Sequence, residues 1–303
     1  MSIDDLTHLT PWAAKIALLP NPDRVQRIRT DRWVGYTKAE EALLKLNTLI
    51  THPKRQRMPN LLIIGSTNNG KTMIIEKFRR SHPISENPKK YLSNEYPVIV
   101  MQMPSDPKIA RFYSILLYQL GIPTRSRQRI SDLEILSLYA LQRSKVKILI
   151  IDEVHNLLAG TSAAQREFLN LIRFLGNQLQ IPIVCVGTKE AYFAIRSDDQ
   201  LENRFEPVTL PLWKDDAEFA SLLASLAATL PLRKPSILTS AEVMHFILDK
   251  SEGTIGEIIT LITKAALIAI QSGEETINKA VLSRVDYLSP TERKRVFERQ
   301  LVK

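Results

Sequence analysis

Residues 65–72 read G-S-T-N-N-G-K-T, a pattern suited to holding the phosphates of a nucleoside triphosphate. The two glycines let backbone N–H groups approach phosphate oxygens, because neither residue carries a Cβ that would clash. Lys71 is placed to reach the β- and γ-phosphates, and the Thr72 hydroxyl can ligate Mg²⁺. The residues predicted to surround the nucleotide are Gly65, Ser66, Thr67, Asn68, Asn69, Gly70, Lys71, Thr72 and Met73.

The segments on either side of this loop suit the same chemistry. The apolar run 61–64 predicts a buried strand. A helix that begins near Lys71 would direct its N-terminal dipole at the same anion site. The alternative is a Gly/Asn turn that only joins a strand to a helix. A second functional element elsewhere in the chain would decide between the two interpretations.

A second strand is predicted to end in two carboxylates. Residues 147–153 read K-I-L-I-I-D-E, and the unbroken apolar run indicates a strand buried on both faces. Ligands of open parallel sheets bind at the carboxyl ends of strands, where Asp152 and Glu153 would lie. We expect Asp152 to hold Mg²⁺ through water and Glu153 to act as the base that polarises the attacking water. By itself Asp-Glu would be read as a helix cap; together with the loop it indicates a nucleoside triphosphatase.

A third apolar run, residues 181–186, is followed by Gly187 and Thr188. The Thr188 side chain could contact the γ-phosphate or the attacking water from this strand end. It could equally cap the helix predicted to follow. The two roles are compatible, and Thr188 is kept as a candidate site residue.

Composition limits the class of protein. With 303 residues, 44% of them hydrophobic, the chain can bury a sizeable core. No apolar stretch approaches the roughly 20 residues of a membrane span, and the N-terminus lacks the apolar core of a signal peptide. The single cysteine, Cys185, lies in an apolar run and is expected in the core. These features indicate a cytoplasmic protein without a membrane partner, and the net charge of +9 favours a polyanionic partner.

The order of elements predicts an α/β fold with a parallel, doubly wound sheet, followed by a small all-α lid. A proline-containing connection, with Pro207 and Pro211, is predicted to separate the two regions. Strands are predicted at 61–64, 97–103, 147–152, 181–186 and near 208–210, and helices at 71–81, 107–120, 131–143, 163–178, 188–196, 215–229, 239–250, 255–272 and 276–285. The predicted domains are an N-terminal lead-in at 1–30, a nucleotide-binding domain at 31–212, a lid at 213–287 and a basic tail at 288–303.

This layout is that of the AAA+ superfamily, and four segments resemble the TniB/TnsC family of transposon ATPases. They are R-M-P-N-L-L-I-I-G-S-T-N-N-G-K-T at 57–72, R-W-V-G-Y at 32–36, D-E-V-H-N at 152–156 and L-P-L-W at 210–213. The resemblance covers roughly residues 30 to 275. It implies an ATPase that uses ATP and Mg²⁺ to assemble with itself on duplex DNA, as a ring or a helical filament. It also implies partners, a transposase and a TniQ-like target-selection adaptor, and a role in choosing the target site for transposition.

The resemblance also implies an arginine that completes the site of a neighbouring subunit. Arg204 stands just before the last strand, where such an arginine belongs, and Arg196 is the second choice. The alternative for Arg204 is a surface ion pair with Glu202 or Glu206. In many AAA+ lids a further arginine begins a helix, but this chain has Glu257 at that place, so nucleotide sensing by the lid is in doubt.

By the same resemblance Tyr36 lines the adenine pocket, with core packing as the alternative. The stretch between Asp106 and Asp132 carries basic residues and no acidic ones. Elements at this place line the DNA channel in the resembled family, and the residue types suit phosphate contacts better than base recognition. An ordinary solvated basic loop is the alternative. The predicted DNA-contacting residues are Lys108, Arg111, Thr124, Arg125, Arg127 and Arg129.

Two other functions fit parts of the sequence. One is a helicase-loader or initiator-type AAA+ ATPase. Two features argue against it: the doubled asparagine in the loop and the lack of a recognisable helix-turn-helix after the lid. The other is a scaffold gated by nucleotide that hydrolyses little ATP. The missing lid arginine suits slow, assembly-dependent turnover.

Overall fold

The fold was analysed in a computed structural model that describes residues 3–30, 32–85, 94–125, 127–196 and 198–301. The predicted lead-in and tail therefore extend beyond the described residues at both ends of the chain. Two compact units are present. The α/β unit is Lys38–Pro211, and the helical unit combines Met1–Thr37 with Leu212–Lys303.

The elements follow one another in the order expected of a wound sheet. The strands are β1 Asn60–Gly65, β2 Val98–Gln102, β3 Ile148–Asp152, β4 Ile183–Gly187 and β5 Phe205–Leu210. The helices are α1 Pro11–Ala17, α2 Asn21–Ile28, α3 Thr37–Ile50, α4 Lys71–Ser81, α5 Ile109–Gln119, α6 Ile130–Arg143, α7 Ser162–Leu179, α8 Lys189–Arg196, α9 Asp199–Glu202, α10 Ala217–Thr229, α11 Ala241–Ser251, α12 Ile255–Gln271, α13 Lys279–Ser283 and α14 Pro290–Leu301. Short 3₁₀ segments occur at Ile3–Leu6 and Val154–Ala159.

The five strands form one parallel sheet in the order β2-β3-β4-β1-β5. Strands β1, β3 and β4 are buried along their whole length, as their unbroken apolar runs predict. Aromatic side chains reinforce the core beside the sheet, where Phe112 and Phe168 meet edge to face with ring centroids 5.2 Å apart. The predicted fold class, a doubly wound α/β sheet followed by helices, is confirmed.

The last strand begins earlier than predicted. β5 starts at Phe205, and Pro207 pairs with Leu62 of β1 inside the sheet. The prediction that Pro207 belongs to the connection after the sheet is wrong. β5 is an edge strand with a partner on one side only. A proline, which has no N–H to donate, is tolerated there because its missing donor faces away from the neighbouring strand.

In the helical unit, the N-terminal helices pack against helices from the C-terminal part of the chain. Arg24 of α2 is fully buried and makes hydrogen bonds with both carboxylate oxygens of Glu275. Its guanidinium also donates to the carbonyl of Pro231. Burial by itself would raise the pKa of Glu275, but the hydrogen bonds from Arg24 and from the Arg233 N–H outweigh it and lower the pKa. This ion pair ties α2 to the segment that follows α12.

Among the described residues, no individual helix combines the length and apolar character that a membrane crossing requires. Helices α11 and α12 meet that test only when taken together, and the chain bends by 118° between them.

We predict that Glu275→Gln destabilises the helical unit by about 3 kcal/mol, because it leaves a buried arginine without its counter-charge. The three tryptophans, Trp12, Trp33 and Trp213, all belong to this unit, so their fluorescence during urea unfolding reports its stability. The folded-state pKa of Glu275 is lowered, so the stabilisation is present above the unfolded pKa of about 4.3 and disappears as pH falls through the folded pKa.

The neighbouring Glu274 supplies a matched control. It forms an exposed ion pair with Arg284, so Glu274→Gln should change the unfolding midpoint little. Equal midpoints for the two variants at neutral pH would contradict the importance of the buried pair.

Candidate nucleotide-binding site

The loop predicted to hold phosphates joins the end of β1 to the start of α4. Gly70 immediately precedes α4 with φ of 81°, a left-handed conformation that glycine adopts without strain. Asn68 also has a positive φ, 59°, which asparagine tolerates better than most residues. The two positions turn the chain sharply, so the loop is a compact concavity at the N-terminus of a helix.

Contacts with β5 hold this loop in place. A Cβ on Gly65 would lie 3.2 Å from Leu210 Cβ and 3.3 Å from its carbonyl oxygen, so a larger residue would push the strands apart. Asn69 is almost fully buried, and its side-chain amide donates to the carbonyls of Leu210 at 2.9 Å and Pro211 at 3.1 Å. The sequence marks this position only through its doubled asparagine; the clamp to β5 depends on a contact between distant segments.

Lys71 lies inside the concavity, with 5% of its surface exposed. Its Nζ donates to the carbonyls of Gly65 at 2.9 Å and Ser66 at 2.7 Å. Burial lowers the pKa of Lys71, while the carboxylates of Glu153 and Asp152 act in the opposite direction. A buried ammonium surrounded mainly by carbonyl dipoles is an anion-binding arrangement, because a phosphate would supply the missing counter-charge.

Thr72 and Asp152 are brought together from α4 and the end of β3. The Thr72 hydroxyl donates to Asp152 Oδ2 at 3.0 Å, and Asp152 Oδ1 accepts from the Glu153 N–H at 2.8 Å. Within the described ranges, no group of three or more His, Cys, Asp or Glu residues could hold a metal. Mg²⁺ usually takes one or two protein oxygens and completes its shell with water and phosphate. The Thr72–Asp152 pair therefore fits Mg²⁺ bound together with a nucleotide.

Glu153 stands between β3 and the 3₁₀ segment in a left-handed conformation, with φ of 57°. Non-glycine residues adopt this conformation at a cost, and such positions concentrate at functional sites. Its Oε2 lies 3.0 Å from His155 Nε2. The His155 Nδ1 is buried, and no hydrogen-bond partner for it is found among the described residues. The contact with His155 Nε2 holds one oxygen of the Glu153 carboxylate.

Thr188 follows β4, which is the neighbour of β3, so it lies at the same edge of the sheet as Asp152. A hydrogen bond from the Thr188 hydroxyl is the main reason that the pKa of Glu190 is lowered. The Thr188 carbonyl also accepts from the Ala191 N–H at the start of α8. Thr188 thus takes part in the helix start, and its role toward a phosphate stays a prediction.

Tyr36 belongs to the helical unit. Its ring meets that of Trp213 edge to face, with centroids 5.2 Å apart. Burial, and secondarily the charge of Glu218, raises the pKa of Tyr36 to about 12. The packing of Tyr36 in this unit is therefore defined, whereas its contact with adenine stays a prediction.

Arg204 and Arg196 have different surroundings. Arg196 Nε pairs with Glu202 at 2.6 Å, and Glu206 pairs with Lys45 at 2.7 Å. Glu202 and Glu206, the two carboxylates predicted as alternative partners of Arg204, therefore have other cationic partners, while the charge of Asp198 acts on Arg204 without forming an ion pair with it. Arg204 Nη1 instead donates to the neutral side-chain amide oxygen of Asn177, at 3.0 Å. Of the two candidates, Arg204 is the one whose charge is not balanced by these carboxylates.

The sheet register places Arg204 far from the loop of its own chain. Phe205 pairs with Asn60 and Leu210 pairs with Gly65, so Arg204 precedes the end of the β1–β5 ladder opposite to the loop. Five residues of strand span about 16 Å. The register therefore keeps Arg204 away from the phosphate loop of its own chain.

The predicted DNA-contacting residues lie on α5, around its start, and on the loop before α6. Lys108 pairs with Asp106 at 2.8 Å, and both side chains are largely exposed. The Arg125 N–H donates to Gln128 Oε1, and Arg127 has a positive φ of 65°. Ser126, in the middle of this loop, lies outside the described residues. Arg111, Arg125, Arg127 and Arg129 are exposed, and Thr124 is half-buried.

Glu257, at the position of the absent lid arginine, has its own partners. It pairs with Arg293 of α14 at 2.7 Å and accepts a hydrogen bond from the Tyr287 hydroxyl. Burial, followed by this bond, raises the pKa of Tyr287. Glu257 thus connects α12 with α14, so the residue at this position has a structural role.

The chain resembles proteins of known structure in its fold and belongs to a known sequence family. One solved structure that resembles this chain is Cdc6p from Pyrobaculum aerophilum, with 16% identity and a TM-score of 0.59; the match covers 83% of this chain and 68% of that chain. Another is the ORC2 protein of Aeropyrum pernix in ADPNP–ADP complexes, with 16% identity and a TM-score of 0.57; the match covers 86% of this chain and 71% of that chain. The ORC1 protein of Aeropyrum pernix in complex with DNA is also similar, with 14% identity and a TM-score of 0.53; the match covers 90% of this chain and 69% of that chain. The fold is that of the P-loop AAA+ ATPases. No curated protein matches the sequence significantly. The sequence profile described as "Bacterial TniB protein" matches residues 24–215, and the chain belongs to this family.

We predict that Asn69→Ala loosens the loop. Removing its two hydrogen bonds, each worth about 1 kcal/mol net, should speed amide exchange in a peptide covering residues 60–75 by about tenfold or more. Hydrogen–deuterium exchange with mass spectrometry measures this in the protein without nucleotide. Thr67→Ala, at an exposed position of the same loop, is the control and should leave the exchange unchanged. Equal exchange for the two variants would show that Asn69 does not hold the loop.

Proposed function

We propose that this protein is a DNA-binding AAA+ ATPase that hydrolyses ATP with Mg²⁺ and regulates target-site selection by a DNA transposase. The supporting observation is the convergence of Lys71, Thr72 and Asp152 at the carboxyl edge of the sheet, from segments about eighty residues apart. Each residue type there has a separate use toward a triphosphate. The TniB family membership supports the role in transposition.

In this proposal, the chain divides the work of hydrolysis among its own residues. The loop N–H groups and Lys71 hold the β- and γ-phosphates, and Thr72 with Asp152 provides the protein oxygens for the metal. Bound Mg²⁺ supplies positive charge that offsets the charge of the phosphates. Glu153 orients the attacking water and accepts its proton, with His155 fixing the carboxylate. Thr188, which follows the neighbouring strand β4, would contact the γ-phosphate or the attacking water.

Self-assembly follows from the position of Arg204. An arginine that stabilises charge on the transferring phosphoryl group can raise turnover by orders of magnitude. Because Arg204 lies at the opposite end of the sheet from its own loop, it would act on a nucleotide held by a second copy. We therefore propose that ATP hydrolysis is slow in the monomer and increases when copies assemble, as a ring or a helical filament.

DNA is the proposed surface on which copies assemble. The exposed arginines around α5 and the loop before α6 support this, together with the net charge of +9. The transposase and a TniQ-like adaptor are the proposed protein partners. The likeness to ORC and Cdc6 proteins concerns the fold, and it does not by itself favour replication over transposition.

The decisive variant for hydrolysis is Glu153→Gln. Loss of the base should reduce phosphate release by about a hundredfold or more while ATP still binds, so that ATP-bound assemblies accumulate on DNA. Phosphate-release assays and sedimentation with duplex DNA measure the two effects. Glu167→Gln, an exposed change on α7, is the control. A nucleotide-gated scaffold would instead show little change in either measurement.

Binding to phosphates alone predicts a DNA affinity that is independent of sequence and weakens steeply with salt. Reversing the charge of Lys108, Arg125 and Arg127 should lower the affinity and reduce the slope of log affinity against log salt by up to about three. Fluorescence anisotropy with labelled duplexes at several salt concentrations measures both. The same charge change at Lys15, Arg27 and Arg29, exposed residues of the helical unit, is the control. An unchanged affinity in the first variant would exclude this stretch as the DNA contact.

A further inference from the structure

Three arginines from separate segments come together near the start of β5. Arg204 immediately precedes the strand, and the Asn60 N–H donates to its carbonyl at 2.9 Å. Arg57 lies in the loop before β1, and Arg173 lies on α7. Burial lowers the pKa of Arg204, and the positive charges of Arg57 and Arg173 lower it further, while the negative charge of Asp198 acts in the opposite direction without reversing the shift. We call these three residues the arginine cluster.

The side-chain hydrogen-bond partners of Arg204 and Arg173 are neutral. Arg204 donates to Asn177, and Arg173 donates to the side-chain oxygens of Gln200 and Asn170. Among the described side chains, no carboxylate oxygen lies within 4.0 Å of a cluster guanidinium nitrogen. The amides therefore hold two of the guanidinium groups in position without neutralising them. Such an arrangement is prepared for an anion, because bringing like charges together is costly until a counter-charge arrives.

We propose that the arginine cluster is the site at which one copy of the protein holds the terminal phosphates of a nucleotide bound by a second copy, with Arg57 and Arg173 contacting phosphate beside Arg204. This inference rests on the proposed ATPase function and extends it to two residues that the sequence motifs do not identify. The terminal phosphates of a triphosphate concentrate several negative charges within a few ångströms, which matches three convergent guanidinium groups. The chain's own loop cannot supply them, because β1 separates the two places.

The first experiment tests the anion site without hydrolysis. Lys71→Ala protein, in which the loop's own phosphate contact is weakened, is treated with phenylglyoxal, a reagent specific for arginine. Labelling is then mapped by mass spectrometry with and without inorganic tripolyphosphate. Tripolyphosphate should reduce labelling of Arg57, Arg173 and Arg204 at least about threefold and leave Arg166, an exposed residue of the same helix as Arg173, unaffected. Equal labelling of the cluster in both samples would overturn the proposal.

The second experiment tests the partner. Sedimentation velocity with a non-hydrolysable ATP analogue, without DNA, compares the wild type with Arg173→Ala, Arg173→Lys and Arg166→Ala. Arg173→Ala should weaken nucleotide-dependent self-association at least about tenfold while the monomer still binds the analogue. Arg173→Lys should recover only part of it, because an ammonium lacks the planar fork of donors. Arg166→Ala should match the wild type.

A mixture of two variants provides the test of action in trans. Arg173→Ala protein has an intact loop, and Lys71→Ala protein has an intact cluster, so their mixture should hydrolyse ATP faster than either alone. Failure to exceed the separate rates, when the two variants demonstrably associate, would overturn action in trans. If Arg173→Ala instead lowers DNA affinity without nucleotide and leaves analogue-driven association intact, the cluster binds DNA and the proposal is wrong.

Failure of the proposed function has a different signature. In that case the wild type itself would neither hydrolyse ATP nor self-associate in the presence of the analogue, so the proposed contact between copies would also be absent. A wild type that does both, beside an Arg173→Ala protein that behaves identically, would reject the cluster alone.

Discussion

The parallel pairing of β1 between β4 and β5 is the constraint on which the candidate site depends. Strand β1 is buried on both faces, and full burial of a side chain such as Leu62 or Ile63 contributes about 1.5–3 kcal/mol relative to exposure. The Asn60 side chain accepts a hydrogen bond from the Ile183 N–H at 2.9 Å, which satisfies polar groups where the strands begin. A slip of one residue would break this hydrogen bond and would move Gly65 away from Leu210, where the space is too tight for a Cβ. The register is therefore strongly specified, and with it the separation between the loop and Arg204.

The sequence predicted what depends on local pattern. The strands, the loop at 65–72 and the carboxylates after β3 follow from apolar runs and motif spacing, because these properties are encoded within a few residues. The fold class was predictable for the same reason. The place of Pro207 was not predictable in this way, since a proline indicates the end of a strand unless that strand is known to lie at a sheet edge.

What the sequence could not show depends on contacts between distant segments. The clamp from Asn69 to the carbonyls of Leu210 and Pro211 is such a contact, because it joins residues about 140 positions apart. Arg204 was preferred to Arg196 from its position in the sequence alone. Only the fold shows that Arg196 pairs with Glu202, which supports this preference.

The surroundings of Arg204 can be compared with those of two other cations in the chain, Arg24 and Lys71. The fully buried Arg24 is matched by both oxygens of Glu275, so this protein neutralises a buried arginine where the role is structural. Lys71 is also buried, but carbonyls are its direct partners, and Arg204 is bonded to an amide. Positive charge held at a cost and left short of counter-charge is expected where an anion is to bind. Since these two cations lie at opposite ends of β1, a single phosphate chain held by the loop cannot contact both, which is why we propose that Arg204 meets the nucleotide of a second copy.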